Sequence, residues 1–295
     1  MLRQQRARFA YMLILPSLIM ITLLKGVPMV QAFILSFQNQ NMIRPNPTAF
    51  VGFKHYARAL TDEPEFWITL LRTCIWTAGS VAGAYVVALS LALLCNLDIR
   101  GRAVFRALFL VPWVIPDVAA ALLWKWLYAD EYGIINFALR TLGLIDQPVL
   151  WLADRNMAMG SVILVQIWKL TPVMFIVLLA ALQNVPKELY EAANIDGATA
   201  WQRFRNVTLP LMRSTSVIIT LLASIWTFQS FDIIYLLTGG GPADATKILP
   251  ILIYLKAFAA SDMGYAAAVG ILMLMCLLIL SITYLFVYRS QAQKA

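Results

Sequence analysis

Long apolar runs separated by short polar intervals dominate the chain. Six runs, residues 11–37, 66–94, 105–127, 158–182, 217–237 and 266–288, each reach the roughly 20 residues that a membrane helix needs. The longest polar intervals are about thirty residues, well short of the usual domain size. The first run contains Pro16, Lys25 and Pro28, so it is expected to be tilted or broken. Arg3, Arg6 and Arg8 precede it, as in a secretory signal. The run is too long for a signal core and no small-residue cleavage site ends it, so it is expected to be retained. The pattern predicts an all-α integral membrane protein: six transmembrane helices in a single transmembrane domain over residues 1–295.

Composition agrees. Apolar residues make up 61% of the chain and charged residues 13%, about half the charge of a soluble domain. Mean hydropathy is +0.75. Lys and Arg in the loops set an expected orientation. With the N-terminus inside, the inner segments hold twelve: Arg3, Arg6, Arg8, Arg100, Arg102, Arg106, Lys187, Arg203, Arg205, Arg213, Arg289 and Lys294. The outer segments hold seven: Arg44, Lys54, Arg58, Arg140, Arg155, Lys247 and Lys256. Both termini are therefore expected in the cytoplasm, as an even helix count requires. The net charge of +8 then follows from topology and contact with anionic lipid, with no need of a nucleic-acid partner.

Enzymatic chemistry finds little support. The one histidine, His55, has no second histidine or cysteine at metal-ligand spacing. Cys74, Cys95 and Cys276 lie in or beside apolar runs and are expected to be reduced, packed thiols. Gly239-Gly240-Gly241-Pro242 lacks the Lys-Ser/Thr of a phosphate loop and reads as a turn. No catalytic group, metal site or bound cofactor is expected.

One polar interval is over-specified for a connection. In residues 185–213, Pro186 can open a short helix. Glu188 and Glu191 put negative charge near its N-terminal end. Leu189, Ala192, Ala193 and Ile195 give it an apolar side, and Gly197 sits at a C-cap position. Thr199-Ala200-Trp201-Gln202 fits a capping box for a second helix. That helix is expected to run to about Val207, with Pro210 breaking it ahead of the fifth run. A capped helix–glycine–helix unit with small alanines suits docking to another protein; an amphipathic hairpin lying on lipid would be longer and more basic.

Glu191-Ala192-Ala193, Asp196-Gly197-Ala198 and Leu209-Pro210 resemble the cytoplasmic EAA loop of permease subunits in bacterial ABC importers that use a substrate-binding protein. Residues 50–56, Leu110–Pro116, Trp124-Lys125-Trp126, Gly133–Asn136, Gly240-Gly241-Pro242 and Phe258 through Ala268 are similar to the sugar-importer branch, that of the maltose, glycerol-3-phosphate and trehalose permeases. The resemblance implies a type I ABC importer permease fold in the bacterial cytoplasmic (inner) membrane. It implies a second homologous permease as partner, two copies of an ATPase that carries the ATP and Mg, and an extracytoplasmic binding protein. Glu188, Glu191, Ala192, Ala193, Asp196 and Gly197 would couple to the ATPase.

Polar residues inside a bilayer tend to face a cavity or a partner helix. Candidates are Trp113 and Asp117 in the third run, Gln166, Trp168 and Lys169 in the fourth, and Trp226, Thr227, Gln229, Ser230 and Asp232 in the fifth. Alignment with the maltose permease puts pocket positions at Trp113, Asp117, Gln166, Leu170, Ala223, Thr227 and Ser230. Leu170 and Ala223 offer no polar group, so the substrate need not be an α-glucan. Lys169 could pair with Asp117 or Asp232, or meet an acidic group on the substrate. The solute is thus expected to be a sugar or sugar derivative, with a non-sugar or anionic solute, such as a phosphorylated or sulfonated glycoside, as the alternative. A secondary transporter would need repeat symmetry and broken helices around an ion site, which six runs with an EAA loop do not suggest.

Overall fold

Helices α1 (Leu2–Ile21) and α2 (Val27–Leu35) open the chain, joined by one π-helical turn, Thr22–Gly26. The computed structural model describes residues 2–41, 49–97 and 101–292, without the side chains of 2–10, 287 and 289–292. Arg44, Arg100 and Lys294 lie outside the described residues, as do the side chains of Arg3, Arg6, Arg8 and Arg289. A two-stranded antiparallel ribbon follows, β1 (Gln38–Asn39) with β2 (Ala49–Phe50). Then come α3 (Lys54–Ala57), α4 (Glu65–Asn96), α5 (Arg102–Val114), α6 (Asp117–Leu127), α7 (Ile134–Thr141) and α8 (Ala158–Gln183). The rest is α9 (Lys187–Ile195), α10 (Ala200–Arg203), α11 (Leu209–Phe228), α12 (Asp232–Thr238), α13 (Leu249–Tyr254) and α14 (Met263–Ala292).

Five helical segments are long and apolar enough to cross a membrane: Tyr11–Leu35, Glu65–Asn96, Ala158–Gln183, Ala200–Phe228 and Met263–Phe286. The sixth expected span, 105–127, is two helices, α5 and α6, bent by 99°. Proline explains the bend. Pro116 disfavours a helical backbone at Ile115, and Ile115 is extended at ψ 127°. The fifth run departs in the opposite sense. No break falls at Pro210: a π-helical turn, Phe204–Thr208, carries α10 directly into α11. Proline has no N–H and its ring crowds the carbonyl four residues back; a wider turn relieves both. The same placement recurs, since the π turns Thr22–Gly26, Arg58–Asp62 and Phe204–Thr208 each end two residues before a proline, at 28, 64 and 210. The first span therefore stays helical through Pro28. The fifth run instead stops at Phe228, before the polar Gln229 and Ser230.

The chain divides into two compact units, Met1–Trp67 with Leu252–Met275 and Ile68–Ile251 with Cys276–Ala295. In the first, Arg58 bridges Glu63 and Asp262, each at 2.8 Å, and lies 4.3 Å over the Tyr265 ring. Lys256 pairs with Glu65 at 2.7 Å. His55 is a buried core histidine, its Nε2 3.1 Å from the Gln38 carbonyl.

In the second unit α8 is the central helix: more than half of its apolar stretch is buried, against none of Tyr11–Leu35. Its partner α4 meets it with small residues. Ser80, Ala84, Ala88 and Ala92, four residues apart, are all fully buried. Gly79 and Gly83 stand against Ile163 and Ile167; a Cβ on Gly83 would lie 2.3 Å from Ile167 Cδ1. Small residues at four-residue spacing let membrane helices approach closely, with dispersion and shape fit holding them. Cys95 is buried in this core, but Cys74 is exposed, contrary to the expectation of a packed thiol. Burial alone raises the Tyr128 hydroxyl to about 12, so it stays a donor, to the Ser161 carbonyl at 3.1 Å.

Candidate functional site: a cavity at two helix breaks

A helix end leaves carbonyls without intrahelical partners. At two helix ends here a carbonyl accepts from a side chain of a neighbouring helix. At the end of α5, Lys169 of α8 donates to the carbonyls of Pro112 (3.2 Å) and Ile115. Its ammonium also pairs with Asp117 in the first turn of α6, at 3.1 Å. At the end of α11, the Trp76 indole of α4 donates to the Thr227 carbonyl at 2.9 Å. Asp117 is thus the partner that Lys169 takes, and the broken ends of α5 and α6 are tied together through one ammonium.

The two breaks and α8 line an open cavity of about 540 Å³. Residues 113–117 line it from the first break and 229–233 from the second; α8 gives Gln166, Lys169, Leu170 and Val173, and Trp226 completes the wall. Of the candidates named from sequence, Trp113, Asp117, Gln166, Lys169, Trp226, Gln229, Ser230 and Asp232 are brought together here. Thr227 is not among them. It is fully buried behind the wall, its hydroxyl without a partner. Ala223 is also fully buried, and Trp168 turns edge-on to Trp124. Phe231, stacked on Tyr235 at 4.7 Å, was missed. Its only signal in the sequence is its place between Ser230 and Asp232.

The wall mixes aromatic faces with amide, hydroxyl and carboxylate groups. Trp113 and Trp226 are about half exposed. Gln166 is 7% exposed, and its Oε1 has no hydrogen-bond partner. An unpaired amide oxygen is costly in dry surroundings. Among the described residues no group of three or more His, Cys, Asp or Glu could hold a metal.

The polar interval after α8 folds as its signals direct, up to Pro210. Pro186 caps α9 with an extended backbone. Gly197, at φ +74°, closes it. Gly197 N–H donates to the Asn194 carbonyl and Ala198 N–H to that of Ala193, the paired bonds of a Schellman ending. The Thr199–Gln202 capping box is present in both directions. Tyr190 and Thr208 share a hydrogen bond of 2.9 Å, and Arg203 donates to Asn194. These bonds tie α9 to the base of the helix that rises to the cavity. Glu188, Glu191, Ala192, Asp196 and Gly197 are exposed and Ala193 half-buried. Ile195 (87%) and Trp201 (66%) project strongly apolar surface.

Residues 64–293 match the family of binding-protein-dependent transport system inner membrane components. The trehalose/maltose transport system permease protein MalF of Thermococcus litoralis is 36% identical over 288 residues, 98% of this chain and 96% of that one. The sulfoquinovosyl glycerol transport system permease protein SmoG of Agrobacterium fabrum is 34% identical over 282 residues, 96% and 91% of the two chains. In fold, the chain is similar to a bacterial ABC transporter involved in import of the acidic polysaccharide alginate, with TM-score 0.83 and 23% identity over 97% of this chain and 96% of that one. The chain therefore belongs to the family of inner-membrane permease components of binding-protein-dependent ABC importers. It is a multi-pass membrane protein with the type I importer permease fold, and its family role is transport.

Proposed function

We propose that this chain is a permease subunit of an ATP-driven importer for sugars or sugar derivatives, its two units acting as one transmembrane domain. It forms half of a pathway completed by a second, homologous permease. An extracytoplasmic binding protein delivers the solute, and two copies of a cytoplasmic ATPase drive the cycle. Both termini face the cytoplasm, which places α9 on the ATPase side.

The observation that carries this reading is the cavity at the two breaks. Indole and phenyl faces suit the apolar face of a pyranose, and Gln166, Gln229 and Ser230 suit its hydroxyls. Relatives named for trehalose/maltose and for sulfoquinovosyl glycerol support a glycoside as the solute. Residues Glu188, Glu191, Ala192, Ala193, Asp196 and Gly197 form the ATPase contact, and the exposed apolar side of α9 is the surface a partner cleft would cover. Linkage between two sites requires an element whose position both of them bias. The helix from Ala200 to Phe228 is that element: it starts at the coupling unit and ends at the cavity.

The test is uptake of labelled trehalose and maltose by cells carrying the importer with its own binding protein and ATPase. Gln166→Leu is expected to cut uptake at least about tenfold, as loss of one hydrogen bond to a polar ligand group does, while the complex still assembles. Normal uptake and normal sugar-stimulated ATP hydrolysis in that variant would remove the cavity from the pathway.

A further inference from the structure

We propose that this half of the pathway is electronegative and admits an uncharged, hydroxyl-rich solute in preference to an anionic one. The inference rests on the cavity being the pathway, and concerns the charge it accepts. Lys169 is the only cation among the lining residues. It is spent on the fold: the Asp117 carboxylate and two backbone carbonyls hold its ammonium, and its side chain is only 12% exposed. Asp117 is about half exposed, so the pair turns its carboxylate towards the cavity. Asp232 is exposed in the same wall and makes no ion pair among the described residues. Two carboxylates against one engaged ammonium leave a negative charge.

The first turn of α6 would otherwise attract an anion. Asp117 already stands there. A carboxylate, sulfonate or phosphate on the solute would meet like charge and find no free donor cation. A neutral sugar meets the Gln229 amide and the Ser230 hydroxyl in the same wall, which bond a hydroxyl without a change of charge. Charge of one sign in a cleft with low-dielectric walls is focused there and raises the local concentration of the opposite sign by about tenfold or more.

The test places a thiol in the wall, Ser230→Cys, in the importer assembled with its partner subunits in nanodiscs. Three methanethiosulfonate reagents of similar size probe it, one cationic (trimethylammonium), one anionic (sulfonate) and one uncharged. Each rate is divided by its rate with a free thiol in solution, and labelling of the parent complex is subtracted. The cationic reagent is expected to react about tenfold faster than the anionic one or more. Asp232→Asn is expected to bring the two rates together. Asp232→Asn with Asp117→Asn, which frees Lys169, should make the anionic reagent the faster. Asp232→Asn leaves the Lys169 pair intact, so it decides the matter even if the double variant fails to fold. Equal rates, or a faster anionic reagent, in the Ser230→Cys complex would overturn the charge assignment and leave the pathway standing. No reaction with any of the three would remove the pathway and this inference with it.

Discussion

An ammonium at the centre of a membrane helix costs about 3 kcal/mol or more unless it is paired. Lys169 meets that cost with three oxygens, and in doing so satisfies carbonyls that the bend at Pro116 leaves open. Lys169→Met is expected to lower the stability of the assembled permease by about 1–3 kcal/mol, the cost of a buried group left unpaired. Its melting temperature in detergent measures this, and Lys169→Arg should recover part of the loss. If Lys169→Met melts with the parent, the ammonium does not hold the break. At this scale the sequence was informative about polar residues and silent about depth. Lys169, Asp117 and Gln166 stand out in apolar runs, because such residues demand a reason. Thr227 stands out equally, yet it faces inward behind the wall. A helix shows one-dimensional spacing, and which side meets the cavity depends on how neighbouring helices rotate.

Helix breaks and close approaches belong to the scale of the element. Gly83 lies so near Ile167 that any Cβ displaces it. Gly83→Val should destabilise the α4–α8 pair by about 1–3 kcal/mol, the usual range for overpacking. Ile167→Ala should relieve it in the double variant. Thermal unfolding of the four combinations gives the coupling, and simple additivity would refute the contact. Gly197→Val tests α9 differently. No atom lies within 4 Å of the missing Cβ, so the strain is in the left-handed backbone alone, at roughly 1–2 kcal/mol. The membrane helices should remain inserted while ATP hydrolysis loses its dependence on the loaded binding protein. Unchanged coupling would make the loop a connection only. The caps of α9 and α10 were legible because they are local chemistry. The passage through Pro210 was not. A proline reads as a stop, and here the preceding π turn carries the helix through it.

At the scale of the molecule, apolar length predicts the spans well, because a bilayer enforces it. The third run was legible as a length but not as a bent pair, since 105–127 reads as one apolar run through Pro112 and Pro116. The proposed orientation rests on the twelve-to-seven distribution of Lys and Arg. Reporter fusions at residue 150 should read outside and at residue 200 inside. The reverse pattern at both would turn the permease over and remove α9 from the ATPase.

The unbroken helix from Ala200 to Phe228 has a further consequence, in angle as well as in reach. Each residue of an α-helix adds about 100° of rotation and about 1.5 Å of rise. One alanine inserted after Val217 would therefore swing Gln229 and Ser230 about a quarter-turn out of phase with the coupling unit, for a change in length smaller than a bond to hydrogen-bonded water. Seven inserted residues restore the phase to within about 20° while adding about 10 Å. If transport survives neither insertion, both reach and phase matter. If it survives one residue and fails with seven, the helix acts as a spacer whose rotation is immaterial, and the two ends of the machine are joined by distance alone.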